Sequence, residues 1–251
     1  MLVTIAGEDV DLLPDRAMFW RASSTLFIAD PHFGKTAAFR AAGIAAPETV
    51  TQHDLARLDR LIAQTAPSRL VILGDFFHAR GGRIPETEAL IARWRSSHAE
   101  LSVTLVRGNH DLHAGDPPDE WDIECVDPGA VLGPFVLCHA QEDRVSAEGY
   151  RLCGHLHPAV MLDDGSCMSP ERLPCFLLDG GLGILPAFGR FTGMRALRPR
   201  PGQRVYAMGD GMVLEIPIVD QSASRMPDAK KEIARSGPKS RGSLSRGGPA
   251  V

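Results

Sequence analysis

Three short apolar runs stand out in the first half of the chain: Leu26-Phe27-Ile28-Ala29, Leu70-Val71-Ile72-Leu73 and Val103-Thr104-Leu105-Val106. Each is too short for a helix and too continuous for a half-exposed strand, so each reads as a strand buried on both faces. Between the first two, Val50, Leu55, Leu58, Leu61 and Ile62 recur on one face at helical spacing. Pro47 suits the first turn of that helix, and Pro67-Ser68 ends it. Between the second and third runs, Pro85-Glu86 opens another helix with Leu90, Ile91 and Trp94 facing inward. This alternation predicts parallel strands joined by right-handed crossovers.

Beyond residue 123 the helical period fades. Residues 131–132, 135–138, 151–153, 160–162, 176–179, 195–197, 205–208 and 212–216 read as strands between Gly/Pro turns, with Gly209-Asp210-Gly211 as a hairpin turn. The expected class is α/β or α+β, a mixed sheet system with helices outside. Residues 1–220 make one domain on this reading. Residues 221–251 carry no hydrophobic period and are rich in Ser, Gly, Arg and Pro, which predicts a disordered basic tail. Such a tail serves either as a solvated extension or as a weak electrostatic contact for nucleic acid.

Charge sharpens that division. The net charge is −4, yet the tail holds seven basic residues against two acidic ones, so the body is markedly acidic. An acidic body argues against a broadly basic nucleic-acid-binding surface and suits carboxylates that hold cations. No apolar run approaches the roughly 18–20 residues that span a bilayer, so no membrane role is expected. The first residues lack the basic start of a secretory signal. The five cysteines are scattered without a CxxC pair, which fits reduced thiols and a cytoplasmic location.

Candidate chemistry is concentrated in five motifs: Asp30-Pro31-His32, Gly74-Asp75-Phe76-Phe77-His78, Gly108-Asn109-His110-Asp111, Cys138-His139-Ala140 and Gly154-His155-Leu156-His157. Six of the nine histidines lie in them. The first three each follow a parallel strand directly, and ligand sites in open α/β sheets lie at the carboxyl ends of strands. A DxH tripeptide or a Gly-Asp turn is common alone. An Asn-His-Asp run at a strand end serves no packing purpose, and His155 and His157 fall on one side of an extended segment. Strand alternation turns Cys138 away from His139 and out of any metal role. Side chains of Asp, Asn and His without thiolate suit Mn²⁺ or Fe, with Zn and Mg as further options.

The order DxH, GDxxH, GNHD, H, GHxH resembles the calcineurin-like metallophosphoesterases. Flanking residues (Phe33-Gly34-Lys35, Arg40-Ala41-Ala42-Gly43-Ile44, Ala79-Arg80, Arg172-Leu173-Pro174-Cys175-Phe176 and Leu185-Pro186-Ala187-Phe188-Gly189-Arg190-Phe191-Thr192-Gly193) look like the ligase-associated DNA-damage-response phosphoesterases of PdeM type. The resemblance implies two mixed β-sheets packed as a sandwich flanked by helices. It implies two divalent ions, one held by Asp30, His32 and His157, the other by Asn109, His139 and His155, with Asp75 bridging. A hydroxide shared by the ions then attacks phosphorus.

His110 is the candidate general acid, and Asp111 is expected to orient it. His78, Lys35, Arg80 and Arg107 are candidate substrate contacts. The implied activity is a phosphodiesterase or nuclease for single-stranded DNA or RNA in DNA repair, functionally associated with a DNA ligase and a helicase. The alternatives are a phosphomonoesterase, a small- or cyclic-nucleotide phosphodiesterase, and a catalytically dead scaffold. Only 28 positions separate Asp111 from His139 and 16 separate His139 from His155, which leaves no room for an inserted cap. The apolar segment 173–191 raises the expectation of a homodimer.

Overall fold

The computed structural model describes residues 1–162 and 170–218. The tail expected at 221–251 lies outside the described residues. The chain opens with three strands that the apolar pattern does not reveal, β1 (Leu2–Ile5), β2 (Glu8–Leu13) and β3 (Ala17–Trp20), joined antiparallel. Next come β4 (Thr25–Ala29), α1 (Lys35–Ala41), α2 (Val50–Thr65), β5 (Arg69–Leu73), α3 (Pro85–Ser97), β6 (Ser102–Val106), the single turn α4 (Asp111–Ala114) and β7 (Ile123–Val126). Strands β4 to β6 pair in parallel, as the alternating pattern predicts, and β7, which it does not reveal, joins them in parallel. These seven strands form one sheet in sequence order.

The second half supplies β8 (Ala130–Leu132), β9 (Phe135–Leu137), β10 (Tyr150–Cys153), β11 (Pro158–Leu162), β12 (Glu171–Leu178), β13 (Leu182–Ile184), β14 (Arg195–Ala196), β15 (Arg204–Gly209) and β16 (Met212–Ile216). They form a second, mixed sheet in which β10 pairs in parallel with β9 and β13. The hairpin from β15 to β16 turns on Asp210 and Gly211, both at positive φ (50° and 72°), as a tight two-residue connection demands.

Strand alternation builds two cores from one sheet. Phe27, Ala29, Val71 and Leu73 face the second sheet, where they meet Phe135, Leu137, Leu152, Phe176 and Leu178. Leu26, Ile28, Leu70 and Ile72 point the other way, onto Leu55, Leu58 and Leu61 of α2 and Ile91 and Trp94 of α3. The result is a two-sheet sandwich with helices on the outer face of the first sheet. Phe135 locks the sandwich edge-on against Trp20 and Phe27, at centroid distances of 5.0 and 6.1 Å.

One expectation changes. Pro47 lies ahead of α2, whose cap is Thr49, so it precedes the helix rather than opening it. Helix α1, placed between the first motif and α2, has too short a period to announce itself. Within segment 173–191, Phe176, Leu178, Leu185 and Phe188 are fully buried, while Phe191 is exposed.

Candidate metal centre

At the carboxyl ends of β4, β5 and β6 the chain leaves the sheet in abrupt turns. Asp30, His32 and Asp75 adopt positive φ (51°, 48° and 54°), and His155 and His157 do the same (63° and 49°). Left-handed conformations cost energy for residues other than glycine and are retained where surrounding structure over-determines them. Here they fold five side chains back over the strand ends. The first two motif loops run side by side, with His32 N donating to Asp75 O at 2.9 Å and Phe33 N to Phe76 O at 2.8 Å.

The motifs are cross-braced. The His155 N–H donates to Asp30 Oδ2 (2.8 Å), the His110 N–H to Asp75 Oδ1 (3.0 Å), and the Gly154 N–H to His139 O (2.9 Å). A Cβ on Gly74 would overlap the His139 ring, and one on Gly108 would overlap the Asp75 carboxylate. Both glycines are therefore required by close approach of the site to the backbone.

Two groups of side chains converge within reach of a cation: Asp30, His32 and His157, and Asp75, His139 and His155. In the first, His32 Nε2 lies 3.4 Å from His157 Nε2 and 3.6 Å from Asp75 Oδ2, and His157 Nε2 lies 3.7 Å from Asp30 Oδ1. In the second, His139 Nε2 lies 3.0 Å from Asn109 Oδ1, 3.0 Å from His155 Nδ1 and 3.4 Å from Asp75 Oδ1. Asp75 thus reaches both groups, one oxygen to each. A third trio, His32, His78 and His110, is also compact.

The donor chemistry fits cations. His139 Nδ1 donates to the Leu73 carbonyl at 3.1 Å and His157 Nδ1 to the Gly193 carbonyl at 2.9 Å, which leaves each Nε2 as a lone pair aimed into the site. On the His139 side that lone pair faces the Asn109 and Asp75 oxygens, an arrangement that only a positive charge between them makes favourable. Asp30 Oδ1 is buried with no hydrogen-bond partner among the described residues. Burial first, then neighbouring His157 and Lys35, hold the His32 imidazole far below its ordinary range, so it is neutral. Burial also lowers His157, but Asp30 and the Gly193 carbonyl raise it by more. A cation between Asp30 and His157 would take the place of that proton. Burial pushes the Asp75 carboxyl upward, the mark of an anion lacking a compensating charge.

The remaining candidates divide. His110 stands on the open side, its side chain 35% exposed, with Nδ1 held by the His78 carbonyl at 2.5 Å and Nε2 3.9 Å from Asp75 Oδ2. Asp111 does not orient it. Its carboxylate accepts the N–H groups of Asp75 (2.8 Å), Phe76 (2.9 Å) and Gly108 (2.8 Å), with a longer contact from Phe77 (3.4 Å). Asp111 begins α4, so its side chain turns back beneath the loops instead of toward its neighbour.

His78 stacks on His110 (4.9 Å, 26°) and meets His32 edge-on. Burial, then Lys35 and His110, lower it to about 4. Lys35 opens α1 directly after the first motif and lies near Asp75. Arg107 pairs with Asp116 (2.7 Å) and Asp127 (3.0 Å). Arg80 is exposed on a one-turn 3-10 helix, and its side chain makes no hydrogen bond or ion pair with a described residue. Cys138 is buried beside Val136 and Cys153, away from the ligands.

Several supporting residues were not foreseen. Asp143 Oδ2 accepts the N–H groups of His139 and Ala140, both at 2.9 Å, and so fixes the fourth motif. Residues 187–190 are held against the end of β4 by Phe188 N to Ala29 O (2.7 Å) and Gly189 N to Asp30 O (3.2 Å). Behind them lies a buried polar cluster. Arg57 donates to the Phe188 carbonyl, pairs with Asp54 (3.1 Å) and covers the Phe188 ring, while Arg16 donates to Ala187 O and Gly189 O. The signal was present in the sequence: Asp54 and Arg57 interrupt the apolar face of α2 at i, i+3 spacing.

The comparisons agree with this geometry. The calcineurin-like phosphoesterase family matches residues 23–165. The Pseudomonas putida nuclease MPE is similar at 41% identity over 86% of this chain and 99% of that one, with a TM-score of 0.75. The E. coli phosphoesterase Yfce is 15% identical over 78% of this chain and 99% of that one, at a TM-score of 0.41, too slight a likeness to argue from. No curated protein matches the chain. The chain belongs to the calcineurin-like phosphoesterase family. It is a metal-dependent hydrolase of phosphoric esters. No helix among the described residues is long and apolar enough to cross a membrane.

Proposed function

We propose that this protein is a two-metal phosphodiesterase that cuts single-stranded DNA or RNA. Asp30, His32 and His157 would hold one cation and Asn109, His139 and His155 the other, with Asp75 shared between them. The observation that carries this reading is the placement of the two Asp75 oxygens, Oδ2 toward His32 and Oδ1 toward His139. Bound cations would supply an acidified water as nucleophile and neutralise charge on the phosphoryl oxygens. Donors of Asp, Asn and His favour Mn²⁺.

The chain's own residues do the rest. The seven ligands are fixed by the backbone before substrate arrives, so little reorganisation accompanies the reaction. His110, exposed at the mouth and held at Nδ1 by a carbonyl, presents Nε2 to the leaving oxygen and gives it a proton. Lys35 supplies a positive charge beside the phosphate. The ligand His155 is itself exposed, so the mouth admits a polymer strand as well as a small ester.

Similarity to a nuclease at 41% identity supports a nucleic-acid substrate over a small ester. A DNA-repair setting, with a ligase and a helicase acting nearby, follows from the same subgroup resemblance, and a cytoplasmic location fits the scattered cysteines. The competing reading is a phosphomonoesterase or small-nucleotide phosphodiesterase. Cleavage of labelled single strands with Mn²⁺ tests the choice. Turnover of the strands is expected, and turnover of small monoesters with intact strands would overturn it.

A further inference from the structure

We propose that Phe191 and Phe39 form a subsite that stacks a nucleobase of the strand whose phosphate lies at the metal centre. This rests on the phosphodiesterase reading above. A groove of about 330 Å³, lined by Lys35, Phe39, Arg190, Phe191, Thr192 and Gly193, opens beside the centre. That volume lies at the lower end of small-ligand clefts, about 300–1,000 Å³.

The groove and the metal centre share walls. Gly193 contributes the carbonyl that fixes the ligand His157, and Phe39 meets His78 edge-on at 5.8 Å. Lys35 and Phe39 are one helical turn apart on α1, and the Lys35 ammonium lies 5.8 Å from the Phe39 ring centroid. A base in the groove would therefore be attached to a phosphate at the centre, with Lys35 between the two.

The aromatic surface is presented, not buried. Phe191 is 37% exposed, the one aromatic among the exposed large apolar side chains of the described residues, and sits in a loop carrying Arg190. Phe39 meets it edge-on (6.0 Å, 71°), and both rings line the groove. The loop itself is rigidly seated: Thr192 Oγ1 donates to Gly189 O at 2.7 Å, Arg190 N reaches Asp54 at 3.3 Å, and Arg57 and Arg16 anchor the residues before it. An exposed ring braced from behind and flanked by two cations suits a flat π-system on an anionic backbone. Single-strand-binding proteins use the same pairing of aromatic platform and basic track.

The occupant is a base, so the test removes the base. Wild type, Phe191→Ala and Phe191→Trp are compared with Mn²⁺ on a labelled single-stranded DNA and on the same strand carrying a run of abasic tetrahydrofuran residues. The wild type should show a KM about 5- to 100-fold lower for the base-bearing strand. Phe191→Ala should bring that ratio close to one, and Phe191→Trp should restore it. A ratio near one in the wild type, or a ratio unchanged by Phe191→Ala, overturns the subsite while leaving the nuclease reading intact. Failure of the wild type to cut either strand, with small monoesters still hydrolysed, overturns the phosphodiesterase reading and the subsite with it.

Discussion

The N–H of Asp75 donates to Asp111 Oδ2 at 2.8 Å, and both lie beneath the point where the two ligand groups meet. One carboxylate collects N–H groups from the second motif and from Gly108 of the third, so it sets the distance between them. Asp111→Asn would replace one acceptor by an amide NH₂ facing N–H groups. It should cost about 2–4 kcal/mol of stability, the scale of lost buried hydrogen bonds to a charged group. Urea denaturation of metal-free protein measures this, and kcat should fall in parallel as Asp75 shifts.

His110 stands on the open side of the site, while His32, His139, His155 and His157 close around the two candidate ligand groups. His110→Asn should retain its metal and lower kcat about 10²- to 10⁴-fold, the usual worth of a general acid. The loss should be largest for esters with poor leaving groups and small for nitrophenyl esters, whose leaving group departs without a proton. Equal losses across both kinds of ester would assign His110 to binding.

The Asp54–Arg57 pair is buried, each side chain less than 5% exposed. Breaking it by Arg57→Ala strands a carboxylate and should cost about 3–5 kcal/mol. The double variant Asp54→Asn, Arg57→Met should recover part of this in a mutant cycle. Reduced activity in Arg57→Ala, read at a temperature where it is folded, would report loosening of residues 187–190.

Acid should act on His78. Its folded imidazole takes a proton only at about 4, against 6.5 for the free group. The unfolded chain therefore binds the proton first, and the contribution of His78 to stability falls as pH drops from 6.5 toward 4. Asp75 and Asp111, both pushed upward by burial, pull the net curve the other way. The readout is accordingly a difference: in metal-free protein, the stability of wild type minus that of His78→Gln should shrink across that pH range.

The central strands were legible because burial on both faces leaves a continuous apolar run, and the candidate ligands because Asp, Asn and His at strand ends have no packing role. Strands β1 to β3 were not. Glu8, Asp9 and Asp11 alternate with core residues such as Val10 and Leu12, and so short a segment carries a weak period. Asp111 was misread because adjacency to His110 suggested contact, whereas α4 turns its carboxylate under the loops. The pairing of Arg107 with Asp116 and Asp127 was not legible, because only the fold brings the three together. Phe191 and Phe39, 152 positions apart, meet only through tertiary structure.

Anomalous scattering from crystals grown with Mn²⁺ tests the central claim most directly. Two peaks about 3.5–4 Å apart are expected, one among Asp30, His32 and His157, the other among Asn109, His139 and His155, with the Asp75 carboxylate between them. A single peak, or a peak held by the His32, His78 and His110 trio, would contradict the shared role of Asp75 and the mechanism built on it.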